Sequence, residues 1–308
     1  MFDPKLLSRL LSKAAVLRNY RLERALKLPF WIRLAFNRNT IRKDIRAAWP
    51  GAYVFVDYGD FASFVYIPAP VDVMGGHRLL HPFRPSHFIK ALVKRGDTVI
   101  DVGANIGDWA LPAAHTVGAE GLVLAFEPTP RVAAALGKSA LANRLKQLKI
   151  FPVALSSAAG EVDFSVEQEN TGGSRLGKIP DDREKLYSHL RHFNHIKVQA
   201  RTLDDVIGEH DIHRVDVIKI DVEGNELSVL EGAQETLRRF KPALFLETGL
   251  EDGDSRERMA AKLSSLGYGI VGVSLDGIGM VDATWDDYRR RCGAFEIGQS
   301  DMLLMVAD

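Results

Sequence analysis

The chemistry-bearing residues of this 308-residue chain are carboxylates and glycines set at the ends of short apolar runs. The segment Val99-Ile100-Asp101-Val102-Gly103-Ala104-Asn105-Ile106-Gly107 reads as a strand, a tight turn and a helix start. Gly103 and Gly107 permit sharp turning and close approach of a ligand. The helix beyond them offers unpaired N–H groups and a positive end. The spacing is G-x-x-x-G, not G-x-G-x-x-G, and no Lys-Ser/Thr follows, which argues against both a dinucleotide fingerprint and a P-loop. Asp101 at the strand tip would repel a pyrophosphate and attract a cation. The next apolar run ends Ala125-Phe126-Glu127-Pro128, with Glu127 standing 26 residues after Asp101. That is close to the offset of about 20 at which an acidic side chain reaches ribose hydroxyls, and one carboxylate accepts from two adjacent hydroxyls.

The pair therefore suits a ligand that is cationic at one end and a ribonucleoside at the other, and S-adenosylmethionine has both features. Further along, Asp221 and Glu223 leave a third apolar run together, and Glu247 ends a fourth, followed by Thr248. Neighbouring strands would put all three carboxylates on one rim with Asp101. One of them, with Asp221 favoured, can act as a general base or contact an acceptor hydroxyl. Alternatively Asp221, Glu223 and Glu247 can hold a hard divalent cation through oxygen. A plain structural reading has Glu223 capping the following helix and Glu247 pairing with a basic side chain. The polar insert Asn170-Thr171-Gly172-Gly173-Ser174-Arg175-Leu176 offers Asn170, Gly173 and Ser174 as contacts for a hydroxylated acceptor. His189, His192 and His195 recur at i, i+3, i+6 but have no cysteine nearby, and read as a partly exposed helix tail. His77, His81 and His87 lie just upstream of the glycine turn, where a neutral imidazole can serve as a base.

These residues need a scaffold, and the pattern supplies one. Strands are expected at 98–102, 122–126, 148–153, 161–166, 196–201, 215–220, 243–247, 268–273 and 302–306. Helices are expected at 86–95, 107–117, 131–144, near 202–205, at 225–238 and at 254–266. Short apolar strands alternating with helices predict an α/β fold, a doubly wound and mostly parallel sheet covered on both faces, with ligands at the carboxyl ends of its strands. Ahead of it, Leu7, Leu10, Leu11, Ala14 and Leu17 mark an amphipathic helix over residues 4–27. A second basic helical stretch runs to about Ala48. A hairpin over 52–67 turns at Tyr58-Gly59-Asp60, and a loop rich in Gly, Pro and His spans 71–86. The division expected is an extension over residues 1–83 and a ligand-binding domain over 84–308.

Composition sets the outer bounds. Apolar residues make up 46% and charged residues 26%, which excludes collagen, long coiled coil and wholesale disorder. Forty Lys/Arg balance forty Asp/Glu, so bulk charge gives no argument for nucleic acid. Residues 1–48 hold 12 Lys/Arg against 3 Asp/Glu, and the remainder 28 against 37. A basic arm thus precedes an acidic body, and such an arm can meet an anionic membrane surface. Lys13 and Arg18 interrupt any signal-like apolar run. Cys292 is the only cysteine, so no internal disulfide forms, as suits a reducing compartment such as the cytoplasm. Two rivals to a methyl-transfer enzyme follow: a non-catalytic cofactor-fold module docking through its basic arm, and a nicotinamide-dependent dehydrogenase, which Asp101 and the missing glycine fingerprint disfavour.

Taken together, Asp101-Val102-Gly103-Ala104-Asn105-Ile106-Gly107, Phe126-Glu127-Pro128, Ile218-Lys219-Ile220-Asp221-Val222-Glu223-Gly224 and Glu231-Gly232-Ala233 resemble the FkbM family of S-adenosylmethionine-dependent methyltransferases. Pro152-Val153-Ala154-Leu155-Ser156 and Thr202-Leu203-Asp204-Asp205 fit it as well. The likeness runs from about residue 84 to 250. It implies a class I methyltransferase fold, a seven-stranded sheet whose last strand is antiparallel, and methyl transfer to an oxygen, often a sugar or polyketide hydroxyl. By position it implies that Asp101, Gly103, Asn105 and Gly107 line the methionine and ribose end of the donor. It further implies that Glu127 holds the ribose and that Ala154 and Leu155 flank the adenine. Residues 1–83 and the end of the chain match no motif and are where acceptor choice is expected to be decided.

Overall fold

The computed structural model describes residues 52–57, 61–67, 85–167, 171–177, 193–274, 280–296 and 300–306. The expected helices of residues 4–48, the 71–86 loop up to residue 84, Asn170, His77, His81, His189 and His192 lie outside the described residues. At its centre is a seven-stranded sheet in the order β12-β13-β11-β10-β3-β4-β5. The strands are β3 (Thr98–Val102), β4 (Leu122–Phe126), β5 (Leu148–Phe151), β10 (Val217–Ile220), β11 (Ala243–Thr248), β12 (Tyr268–Ser274) and β13 (Ser300–Val306). β13 runs antiparallel to both β11 and β12, while β5, β4, β3, β10 and β11 are parallel neighbours. This is the expected seven-stranded, mostly parallel sheet with a reversed last strand.

Strand parity divides the core in two. Val99, Val123, Ala125, Val217 and Phe245 face helices α1 (Pro85–Leu92), α2 (Ala110–Val117) and α3 (Pro130–Ala142). Ile100, Val102, Leu124, Ile218, Ile220, Leu244 and Leu246 face α4 (Leu203–Glu209), α5 (Glu226–Glu231), α6 (Gln234–Phe240), α7 (Gly253–Ser265) and α8 (Trp285–Arg290). Burial on both faces explains why the strands read as continuous apolar runs rather than alternating ones.

Several expectations need correction. The helix expected from 107 begins only at Ala110, because residues 105–109 form turns around Asn105 and Gly107, both with positive φ. The single helix expected over 225–238 is two, α5 and α6, broken at Gly232-Ala233. A Cβ on Gly232 would lie 2.1 Å from the Ser156 carbonyl oxygen, so the chain bends there to pack against the β6 connection. The two strands around the polar insert belong to a second, four-stranded sheet, β6-β9-β7-β8, made of β6 (Ala154–Leu155), β7 (Gly160–Glu167), β8 (Arg175–Leu176) and β9 (Phe193–Arg201). His195 accordingly sits on a strand, not a helix tail, and its Nδ1 lies 2.9 Å from the Ser165 hydroxyl. Helix α8 was not anticipated, although Thr284 and Asp287 form a capping box at its start.

The hairpin holds as expected: β1 (Ala52–Asp57) pairs antiparallel with β2 (Ala62–Ile67). It is docked on the body. The Phe64 amide donates to Asn143 Oδ1 at 2.9 Å, Asn143 Nδ2 donates to the Phe64 carbonyl at 2.7 Å, and the Tyr66 amide donates to the Ser139 hydroxyl at 2.8 Å. Phe61 and Val65 join the α1–α3 side of the core. Among the described residues, no helix is long and apolar enough to cross a membrane.

Candidate active site

The glycine turn leaves β3 at the centre of the sheet, where strand order reverses. The Gly103 and Ala104 amides both donate to the Phe126 carbonyl, pinning the turn to β4. Gly103 has φ +77°, and a Cβ there would stand 1.9 Å from the Asp221 carbonyl oxygen. Gly107 has φ +93°, and its Cβ would strike Leu136 at 2.4 Å. The missing side chains therefore admit the protein's own β10 tip and helix α3, as well as allowing the left-handed backbone.

Asp101 extends the Val99 side of β3 and is 1% exposed. Its register partners are Ala125 on β4 and Lys219 on β10. Neither carboxylate oxygen has a hydrogen-bond partner, although the Lys219 ammonium stands 3.1 Å from Oδ1 as an ion pair. Burial pushes the Asp101 carboxyl up to about 6, with Lys219 opposing the rise. A buried carboxylate with open acceptor positions fits the cationic end of a donor.

Glu127 follows β4 by one residue, and its two oxygens accept from the Asn105 amide at 3.0 Å and the Thr129 amide at 2.8 Å. Burial raises its carboxyl, and those amides pull it back. The Thr129 side chain also bonds this carboxylate, and the acceptor positions left over suit a ribose hydroxyl. Asp101 on β3 and Glu127 just past β4 thus stand at the tips of adjoining parallel strands. At the start of the small sheet, Ala154 is buried in that sheet's own cluster with Phe164 and Val198, and Leu155 in the core on the α4–α8 side. They follow β5 directly, next to the β4 tip, with their side chains turned into packing.

Asp221, Glu223 and Glu247 come together: one carboxylate oxygen from each lies within 4.8 Å of the others. Asp221 and Glu223 are half-buried and Glu247 is buried. Glu226 holds the turn ahead of α5: its Oε1 accepts from the Val222 amide at 3.2 Å and the Gly224 amide at 3.0 Å, and burial lifts its carboxyl to about 7. The left-handed pair Glu223-Gly224, at φ +57° and +102°, swings the Glu223 side chain toward the rim. Thr248, next to Glu247, bonds Ser300 at the start of β13.

Sequence reasoning missed Lys219. It is 3% exposed on the central strand, 3.1 Å from Asp101 and 3.6 Å from Asp221. The available signal was a lysine inside a four-residue strand that is buried on both faces. The polar insert serves its own fold: a Cβ on Gly173 would sit 1.9 Å from Glu167 Oε2, and the Ser174 hydroxyl accepts from the Glu167 amide at 3.1 Å. His87 lies on α1. Asp204 of the Thr202-Leu203-Asp204-Asp205 motif holds the start of α6, accepting from the Glu235 and Thr236 amides and the Thr236 hydroxyl.

The seven-stranded, mostly parallel sheet with its antiparallel strand β13 is the sheet of a class I S-adenosylmethionine-dependent methyltransferase. Residues 101–270 match the Methyltransferase FkbM domain, and the chain belongs to the FkbM methyltransferase family. Three relatives are about equally similar to it. Methyltransferase sdnD of Sordaria araneosa is 30% identical over 195 residues, covering 56% of this chain and 74% of its own. 2-O-methyltransferase NoeI of Sinorhizobium fredii is 30% identical over 175 residues, covering 55% and 70%. 31-O-demethyl-FK506 methyltransferase FkbM of Streptomyces tacrolimicus is 30% identical over 161 residues, covering 46% and 62%.

Proposed function

We propose that this methyltransferase acts on a hydroxyl oxygen of a sugar, glycan or related small molecule, with Asp221 as the general base. The observation that carries the reading is the half-buried Asp221 carboxylate, one strand from Asp101, on a rim shared with Glu223 and Glu247. Two of the relatives are named for O-methylation. S-adenosylmethionine, when bound, supplies a methyl group already activated on a sulfonium. Among the described residues, Asp101, Asp221, Glu223 and Glu247 gather near Lys219, and this excess of negative charge attracts a cationic donor. The remaining task is to orient the acceptor and take its proton. Asp221 accepts that proton, while Glu223 and Glu247 disfavour a fourth negative charge and keep the proton at Asp221 once taken. In this reading Gly173 and Ser174 of the polar insert contact the acceptor.

The test pairs discovery of the acceptor with one variant. Mass spectra of glycans and polar metabolites from cells with and without the protein are compared for a product gaining one CH2 unit. With that acceptor, Asp221→Asn should lower kcat by about 10²–10⁴-fold and leave donor affinity within a few-fold. Methylation at nitrogen or carbon, or full turnover by Asp221→Asn, defeats the proposal.

The convergence of the three carboxylates within 4.8 Å also favours a second reading, in which Asp221, Glu223 and Glu247 orient the acceptor through a hard divalent cation. Turnover lost on dialysis against EDTA and restored by magnesium would favour it; indifference to both would exclude it.

A further inference from the structure

Among the described residues, Lys219 is the cation that stands beside both Asp101 and Asp221, and stability alone does not account for it. Burying a lysine is costly, and a buried ion pair is often replaced by apolar residues with no loss of stability. Val217, two residues earlier on the same face of the strand, is buried among apolar side chains, so an aliphatic residue suits that face. The ammonium instead sits at a junction. It donates to the Gly103 carbonyl at 2.8 Å and the Val102 carbonyl at 3.3 Å, and it stands 3.1 Å from Asp101 Oδ1 and 3.6 Å from Asp221 Oδ2. Two backbone carbonyls thus hold the charge at a fixed point, directly across the ladder from Asp101. The contact with Lys219 is the polar interaction that fixes the direction of the buried Asp101 carboxylate.

We propose that Lys219 is a positioning residue of the donor site: anchored by the glycine-turn carbonyls, its ammonium aims the Asp101 carboxylate at the cationic end of S-adenosylmethionine. The proposal rests on the assignment of the donor crevice, and the experiment separates the two. Binding of S-adenosylmethionine is measured by calorimetry for the intact chain, Lys219→Met, Asp101→Asn and the double variant, with thermal melts confirming folding. Absence of binding by the intact chain would sink the donor crevice itself. Given that binding, Lys219→Met should weaken it tenfold or more, whereas adding the same change to Asp101→Asn should alter affinity by less than threefold, because the carboxylate to be aimed is gone. A merely structural lysine would weaken binding by the same factor in both backgrounds. A loss under tenfold in Lys219→Met, or equal losses in the two backgrounds, overturns the proposal. Should Lys219→Met not fold, the double variant, which buries no unpaired charge, decides alone. Affinity within threefold of Asp101→Asn upholds the role, and affinity outside that range in either direction overturns it.

Discussion

Asp101 and Lys219 show how a residue's type can be legible while its partner is not. The acid is visible from its place at a strand tip before a glycine turn, and a cationic ligand follows from Coulomb attraction. The lysine is hidden because strand registration, not spacing, brings β10 alongside β3. Their burial has two measurable consequences. An acid whose pKa in the fold rises from 3.8 to about 6 contributes stability while protonated, below pH 3.8. That contribution is lost as pH climbs through about 6. Donor affinity should run the other way, since the ionised form receives the cation. Calorimetry should find affinity level above about pH 7 and falling below about pH 6, by up to tenfold per unit, with Asp101→Asn flattening the curve. Removing only the lysine leaves a buried carboxylate without its counter-ion, so Lys219→Met should cost about 3–5 kcal/mol in denaturant melts. The double change with Asp101→Asn should cost less than the single one.

At the level of elements, the turns carry more of the site than the strands and helices do. Strand and helix positions are readable from apolar runs, and most fall within a few residues of the expectation. The breaks are harder, because they answer to tertiary contacts. Gly232 splits a helix to clear the Ser156 carbonyl, and Gly103 lets one strand tip close on another. Gly103→Ala therefore meets both a left-handed backbone, costing about 1–2 kcal/mol, and a steric clash with the Asp221 carbonyl. It should lower the melting temperature and abolish measurable donor binding together. Asp204→Ala, in the separate Thr202-Leu203-Asp204-Asp205 motif, offers a contrast. It removes the acceptor of three bonds at the start of α6 and should cost about 0.5–2 kcal/mol while leaving donor affinity unchanged. A shift in affinity would show that α6 couples to the crevice.

For the molecule as a whole, the hairpin of residues 52–67 is bonded to helix α3 of the sheet-bearing body. The hairpin was readable from its alternation, but its docking on α3 through Asn143 and Ser139 depends on polar residues that look unremarkable on a helix. The charge imbalance of residues 1–48 predicts contact with anionic lipid. Co-sedimentation with anionic vesicles should be stronger for the full chain than for a form lacking residues 1–48, and salt should weaken it. Equal, negligible pelleting would end that idea. The reversed direction of β13 carries a practical consequence. Its first residue, Ser300, meets Thr248 beside the carboxylate rim, whereas Val306 pairs with Tyr268 at the foot of the sheet. A fluorophore or affinity handle attached after Val306 emerges on the side away from the crevice, so the enzyme can be immobilised there with its mouth facing solution.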